Sequence, residues 1–233
     1  MNPQDLTPEM QEMMMQFFMV RMQEEKQDKL RRYERLNRLA RKGQILFCGS
    51  SLMEQFPINE LLMDVQTPLT IYNRGVGGFT TTEMANALEP CVFALEPKYI
   101  FINIGTNDLN EENYSLEGLI GRYSDILGRI RTRLPEAKLF MLAYYPVNDE
   151  IGLKNPFMAE AFKARTNARI AEANQAVQKL AGSIGAEFID VNDAISDEQG
   201  RMKAEYTIEG MHMYGDGYYQ VLQKLLPLLT SLT

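Results

Sequence analysis

From Gly43 onward, short apolar runs alternate with longer stretches whose apolar residues recur at helical spacing. The runs cover residues 45–48, 70–72, 99–104, 139–145 and 188–191. Three are near-continuous rather than alternating, as parallel strands covered on both faces are. Thr80-Thr81-Thr82-Glu83 has the form of a capping box opening a helix toward Leu88. Leu116, Leu119, Ile120, Tyr123, Leu127, Ile130 and Leu134 make one apolar face that Pro135 ends. Asn155-Pro156 predicts the start of a helix carrying Phe162, Ile170, Ala173, Val177 and Leu180, and Asp216 the cap of a last helix with Val221, Leu222, Leu225 and Leu226. Strand–helix alternation repeated about five times predicts an α/β fold. Its expected form is a three-layer α/β/α sandwich on a mostly parallel five-stranded sheet.

Before Gly43 the texture is different. Thr7-Pro8-Glu9 is a helix start, with a capping hydroxyl, a proline at the first helical position and an acid near the positive dipole end. Met10, Met14, Phe17, Phe18, Met22, Leu30, Tyr33, Leu36 and Ala40 continue at helical spacing with no glycine or proline between. The expected organisation is a helical extension over residues 1–42 and one domain over residues 43–233. Between Lys26 and Lys42 the chain carries eight Lys/Arg against Asp28 and Glu34. One reading is an arm for an anionic partner or membrane surface. The other is a solvated helix whose methionine-rich stripe packs on its own domain or on a second subunit, which predicts a homo-oligomer through this helix.

Composition narrows the classes. A chain of 233 residues with 45% hydrophobic content supports a real core. The net charge of −7 argues against nucleic acid as a partner. Cys48 and Cys91 make no disulfide framework, and a single histidine argues against a transition-metal site. Acids at positions 5, 9 and 12 and Gln16 within the apolar patch do not match a secretion signal, and no apolar run approaches ~18 residues. The expectation is a reduced, cytoplasmic protein without an integral membrane segment, metal or organic cofactor.

In an open parallel sheet, ligands bind beyond the C-terminal ends of the strands. The segments at that edge are Gly49-Ser50-Ser51-Leu52, Asn73-Arg74-Gly75-Val76-Gly77-Gly78-Phe79, Gly105-Thr106-Asn107-Asp108 and, before the last helix, Glu209 with His212. Each has a plain structural explanation. Ser51-Leu52-Met53-Glu54 fits a capping box, the glycines fit a tight strand-to-helix turn, and Asn107 fits a turn. A lone His212 is by itself most often a satisfied surface or core residue. Taken singly none decides anything, but His212 is the one group here whose unperturbed pKa lies near neutrality.

Together, in order and spacing, these blocks resemble the SGNH (GDSL-type) hydrolase superfamily, named for a Ser, Gly, Asn and His in four blocks. Phe47-Cys48-Gly49-Ser50-Ser51-Leu52 is similar to its first block and Asn73-Arg74-Gly75-Val76-Gly77-Gly78 to its second. Gly105-Thr106-Asn107-Asp108 is similar to the third almost letter for letter, and Glu209-x-x-His212 stands where the last is usually Asp-x-x-His. The resemblance runs from about residue 44 to the end and leaves the first ~40 residues unexplained. It implies a flavodoxin-like sheet and a serine esterase: Ser51 as nucleophile, His212 as base and acid, Glu209 as orienter. Its oxyanion hole would be the Ser51 N–H, the Gly78 N–H and the Asn107 amide, with helix N-termini after Ser51 and Gly78 adding positive dipole. Two departures stand out: Ser50 replaces the aspartate before the nucleophile, and Glu209 is one methylene longer than Asp. The expected substrate is a short-acyl ester, acetyl above all, of a small molecule or carbohydrate. A lipase or thioesterase for longer chains and a non-catalytic binding domain remain as alternatives.

Overall fold

The computed structural model describes residues 7–63, 65, 69–155 and 158–232. At its centre lie β1 (Ile45–Gly49), β2 (Ile71–Gly75), β3 (Tyr99–Asn103), β4 (Lys138–Leu142) and β5 (Glu187–Ile189). All pairings are parallel and the order is β2-β1-β3-β4-β5. The direction of winding reverses between β1 and β3, and a reversal of this kind opens a crevice at the C-terminal sheet edge. The strands leading to Ser51 and Asn107 are therefore the two that flank it.

The helices are α1 (Pro8–Asn37), α2 (Ser51–Glu54), α3 (Ile58–Leu61), α4 (Thr81–Asn86), α5 (Leu88–Cys91), α6 (Leu116–Arg133), α7 (Asp149–Gly152), α8 (Ala159–Ala164), α9 (Asn167–Ser183) and α10 (Gly215–Ser231). Alternation along the strands divides the core in two. Leu46, Cys48, Ile100 and Ile102 pack with residues of α1, α4, α5, α6 and α9 on one face. Ile45, Phe47, Phe101 and Phe140 pack with α2, α3 and α10 on the other. Across that second face Phe47, Phe101 and Phe140 form a row, with neighbouring ring centroids 4.9 and 4.5 Å apart. This is the three-layer sandwich that the hydrophobic pattern predicts.

Several local expectations need correction. The helix predicted from residue 155 through Leu180 is two helices, α8 and α9. Arg165 leaves helical geometry between them, and the Thr166 hydroxyl caps α9 by accepting from the Arg169 N–H. Pro156 lies outside the described residues. Asp216 does not cap α10; Tyr214 holds that position, and the Asp216 carboxylate accepts from the adjacent Gly217 N–H. Ser51 and Glu54 form no capping box, because the Glu54 carboxylate accepts from the Gly77 N–H instead. The predicted box at Thr80 and Glu83 is present in both directions.

The N-terminal helix divides by environment. Met13, Met15, Phe17, Phe18, Met19 and Val20 are exposed. Further along, Tyr33 is buried, its hydroxyl donating to the Gly75 carbonyl at 2.5 Å, and Asn37 bonds the Pro90 carbonyl and Arg74. Residues of the second half thus tie the helix to the domain. Tyr33→Ala should lower unfolding stability by about 3 kcal/mol through lost ring burial, while exposed Leu39→Ala should stay within about 0.5 kcal/mol. Urea unfolding midpoints of the two variants check this.

Candidate active site

The backbone at the end of β1 is forced into a sharp exit. Gly49 has φ of +145°, and a Cβ there would lie 1.9 Å from the Asn103 carbonyl oxygen, so only glycine fits between the two central strands. The Ser50 N–H donates to that same oxygen at 3.2 Å, and the chain turns into α2 with Ser51 at the crevice rim. The Ser50 side chain is buried and makes no capping bond, and its Oγ has no hydrogen-bond partner among the described residues.

The loop before α10 presents the imidazole. Thr207 ties it together: its hydroxyl accepts from the Gly210 N–H at 2.8 Å and donates to the His212 carbonyl at 3.0 Å. Within this loop one Glu209 oxygen lies 2.5 Å from His212 Nδ1 and also accepts from the His212 N–H at 3.3 Å. On the other side of the ring Nε2 lies 2.9 Å from Ser51 Oγ. With Glu209 ionised, Nδ1 carries the proton and donates, which leaves the Nε2 lone pair facing the serine O–H. Burial pushes the Glu209 carboxyl up, but its hydrogen bond to His212 and the charge of that ring outweigh this and hold it below the usual range.

Opposite stands the turn of residues 76–79, closed by Phe79 N–H to Val76 O at 3.2 Å. Gly78 has φ of +70°, the left-handed conformation a turn of this shape needs at its third residue. Neither the Ser51 nor the Gly78 N–H has an acceptor among the described residues. Asn107 follows β3, its Nδ2 donating to the Phe79 carbonyl at 2.9 Å and its Oδ1 accepting from Arg165 at 2.8 Å. A guanidinium can only donate, so Arg165 sets which end of the Asn107 amide is nitrogen. Burial pulls Arg165 down to about 10, against the charges of Asp108 and Glu209. Asp108 is fully buried, bonded to the Thr81 N–H and hydroxyl and to Arg122 at 2.9 Å, which locks the third block to the start of α4.

Ser51, His212 and Glu209 thus stand in contact, and Asn107 is bonded to the turn that carries Gly78. Helix dipoles add little, since α2 and α4 span only four and six residues. Among the described residues no cluster of three His, Cys, Asp or Glu side chains is placed to hold a metal ion.

The model of the GDSL-like lipase/acylhydrolase family matches residues 58–219, more than half of the chain. The chain belongs to that family. It is an ester hydrolase. The match takes in Gly78, Asn107, Glu209 and His212 and begins beyond Ser51, whose place comes from the geometry above. Among curated proteins, this GDSL-like hydrolase is 26% identical over 189 residues to platelet-activating factor acetylhydrolase IB subunit alpha2 of Rattus norvegicus, covering 81% of this chain and 76% of that protein. Among solved structures it is similar to a Streptococcus pneumonia chain described as a platelet activating factor, with a TM-score of 0.83, 28% identity and coverage of 93% and 98%. A GDSL-like lipase from Bacteroides thetaiotaomicron VPI-5482 shares the fold, with a TM-score of 0.71, 18% identity and coverage of 88% and 98%.

Three residues of this hydrolase's site region were given no site role by the sequence. Arg165 sat inside what spacing predicts as one helix, Asp108 stood in the third block with no role of its own, and Lys26 was one of two lysines among the basic residues of α1. For Glu209, a lowered folded-state pKa means a stabilising contribution present above the unfolded value of about 4.3 and lost as pH falls through the folded value. The stability gap between the parent and Glu209→Gln should hold from pH 5 to 7 and shrink below about pH 4. Melting temperature against pH for both proteins measures it.

Proposed function

We propose that the chain is a serine esterase that removes a short acyl group, acetyl above all, from a small-molecule or carbohydrate ester through a Ser51–His212–Glu209 triad. The observation that carries this is the continuous contact from Glu209 through both ring nitrogens of His212 to Ser51 Oγ. Ser51 Oγ attacks the ester carbonyl carbon while its proton passes to His212 Nε2. The carbonyl oxygen becomes an oxyanion, with the Ser51 N–H, the Gly78 N–H and the Asn107 amide as donors. His212 then gives its proton to the leaving alcohol oxygen as that C–O bond breaks. Water attacks the acyl-enzyme with His212 again as base, and the proton returns to Ser51 Oγ as the acid departs. No step is routed through a metal or cofactor. The acetyl preference draws support from the names of its relatives, an acetylhydrolase subunit among the curated proteins and an acetyl xylan esterase, AlAXEase, among the solved structures.

The proposed partners are the ester and a second copy of the chain, with nucleic acid disfavoured by the net charge of −7. A reducing, cytoplasmic setting is in keeping with Cys48 and Cys91, both buried and unpaired. No helix among the described residues is long and apolar enough to cross a membrane. For self-association the support is the free half of α1. Nine large apolar side chains between Met10 and Met22 are exposed there. They surround most of the helix, whereas a helix lying on a membrane surface is apolar on one face and basic on the other. An antiparallel pairing centred on this patch sets the exposed Glu12 of one copy about level with the exposed Arg21 of the other.

Ser51→Ala should abolish turnover of p-nitrophenyl acetate with the fold retained, and Asn107→Ala should lower kcat on the order of 10²–10³-fold. Unchanged turnover in Ser51→Ala would refute the triad, and an optimum at octanoyl or longer esters would favour the long-chain alternative. Light scattering should give twice the chain mass for the parent and one chain mass for Phe17→Glu/Phe18→Glu. Equal masses for the two proteins would contradict pairing through α1.

A further inference from the structure

The site includes one contact from outside the family match and outside the four blocks. Lys26, on α1, extends its ammonium to the Gly78 carbonyl at 3.0 Å and to Glu83 Oε1 at 2.7 Å, with its side chain only 11% exposed. A Cβ added to Gly78 would lie 3.2 Å from Lys26 Cε and 3.4 Å from Met22 Cε, so α1 runs directly over the turn. Beside this contact a cleft of about 340 Å³ separates α1 from Gly77 and Glu54. Here the helix stands off the domain, and two ammonium groups span the gap: Lys26 reaches Gly78 and Glu83, and Lys29 pairs with Glu54.

The backbone groups of the turn can be accounted for one by one. The Gly77 N–H is held by Glu54 and the Gly78 carbonyl by Lys26. The Phe79 N–H is held by Val76, the Phe79 carbonyl by Asn107 and the Thr80 N–H by the other Glu83 oxygen at 3.0 Å. Between them the Gly78 N–H alone is left without an acceptor among the described residues. A glycine is the most freely rotating residue in the chain, so a donor on it is preorganised only if its flanking peptides are pinned.

Resting on the triad reading above, we infer that Lys26 is a positioning residue for the oxyanion hole. From the N-terminal helix it clamps the peptide after Gly78, and with Glu83 ties that peptide to the start of α4, so that the Gly78 N–H is aimed before substrate arrives. It touches neither substrate nor the reacting atoms. It acts through the Gly78 backbone, and its effect belongs to the transition state, where charge develops on the carbonyl oxygen.

The test compares the parent with Lys26→Met, Lys26→Arg and Ser51→Ala, using p-nitrophenyl acetate turnover and inhibition by phenylboronic acid, whose tetrahedral adduct mimics the oxyanion. Lys26→Met keeps the stem that lies beside Met22 and Phe79 and removes the donor. Its kcat should fall at least tenfold with KM within about twofold, as loss of an oxyanion contact does. Boronate affinity should weaken in parallel, and Lys26→Arg should restore most of both. The far-ultraviolet circular dichroism should match the parent in all variants. A kcat for Lys26→Met within twofold of the parent overturns the clamp, as does a fall in kcat with no loss of boronate affinity or with no rescue by arginine. If Ser51→Ala is inactive while Lys26→Met is fully active, only the clamp fails; if Ser51→Ala retains turnover, the triad reading itself fails.

Discussion

One imidazole sits between a hydroxyl and a carboxylate, and that arrangement depends on the whole sheet. Ser51 and His212 are 161 positions apart, and their side chains meet at 2.9 Å. Nothing local could bring them together. The meeting requires a parallel sheet whose winding reverses between β1 and β3, so that the exits of those strands share a crevice with the loop before α10. Two constraints hold the ends in place. The glycine at the end of β1 admits the close approach of β3, and the Thr207 hydroxyl folds the Glu209–His212 loop onto itself.

Around this trio runs a second layer of buried polar contacts that joins the blocks to one another. Asp108 binds the start of α4 and Arg122; Arg165 binds Asn107; Asn107 binds the turn that carries Gly78. A buried charge is tolerated in such a frame because each has partners, and removing one partner costs far more than the pair contributes. Geometry at an oxyanion hole has to hold to a fraction of an ångström. Hydrogen bonds with fixed directions deliver that where apolar packing alone, tolerant of small slips, does not.

Layer architecture and strand positions were legible in the sequence because covered parallel strands leave near-continuous apolar runs. Ser51, the glycine turn, Asn107 and His212 were legible as four short blocks at the ends of those runs. The break at Arg165 was not, since the apolar spacing of α9 continues through it and the deciding signal is the cap at Thr166. Glu54 was read as a local capping partner, whereas its carboxylate reaches the Gly77 N–H, a tertiary contact no local pattern encodes. Lys26 stood unmarked among the eight basic residues of its segment for the same reason. The split of α1 into a free and a docked half was also hidden, because both halves carry apolar residues at helical spacing and only the fold decides which of them meet a surface.

The central claim is that Ser51 is activated by His212 and no other hydroxyl is. Mass spectrometry of the intact protein and its peptides after reaction with a fluorophosphonate tests it most directly. The account predicts one adduct per chain, on the peptide containing Ser51, formed rapidly in the parent and at least a hundredfold more slowly in His212→Ala. A parent chain that stays unlabelled, an adduct on a different serine, or labelling of Ser51 at an equal rate without the imidazole would contradict it.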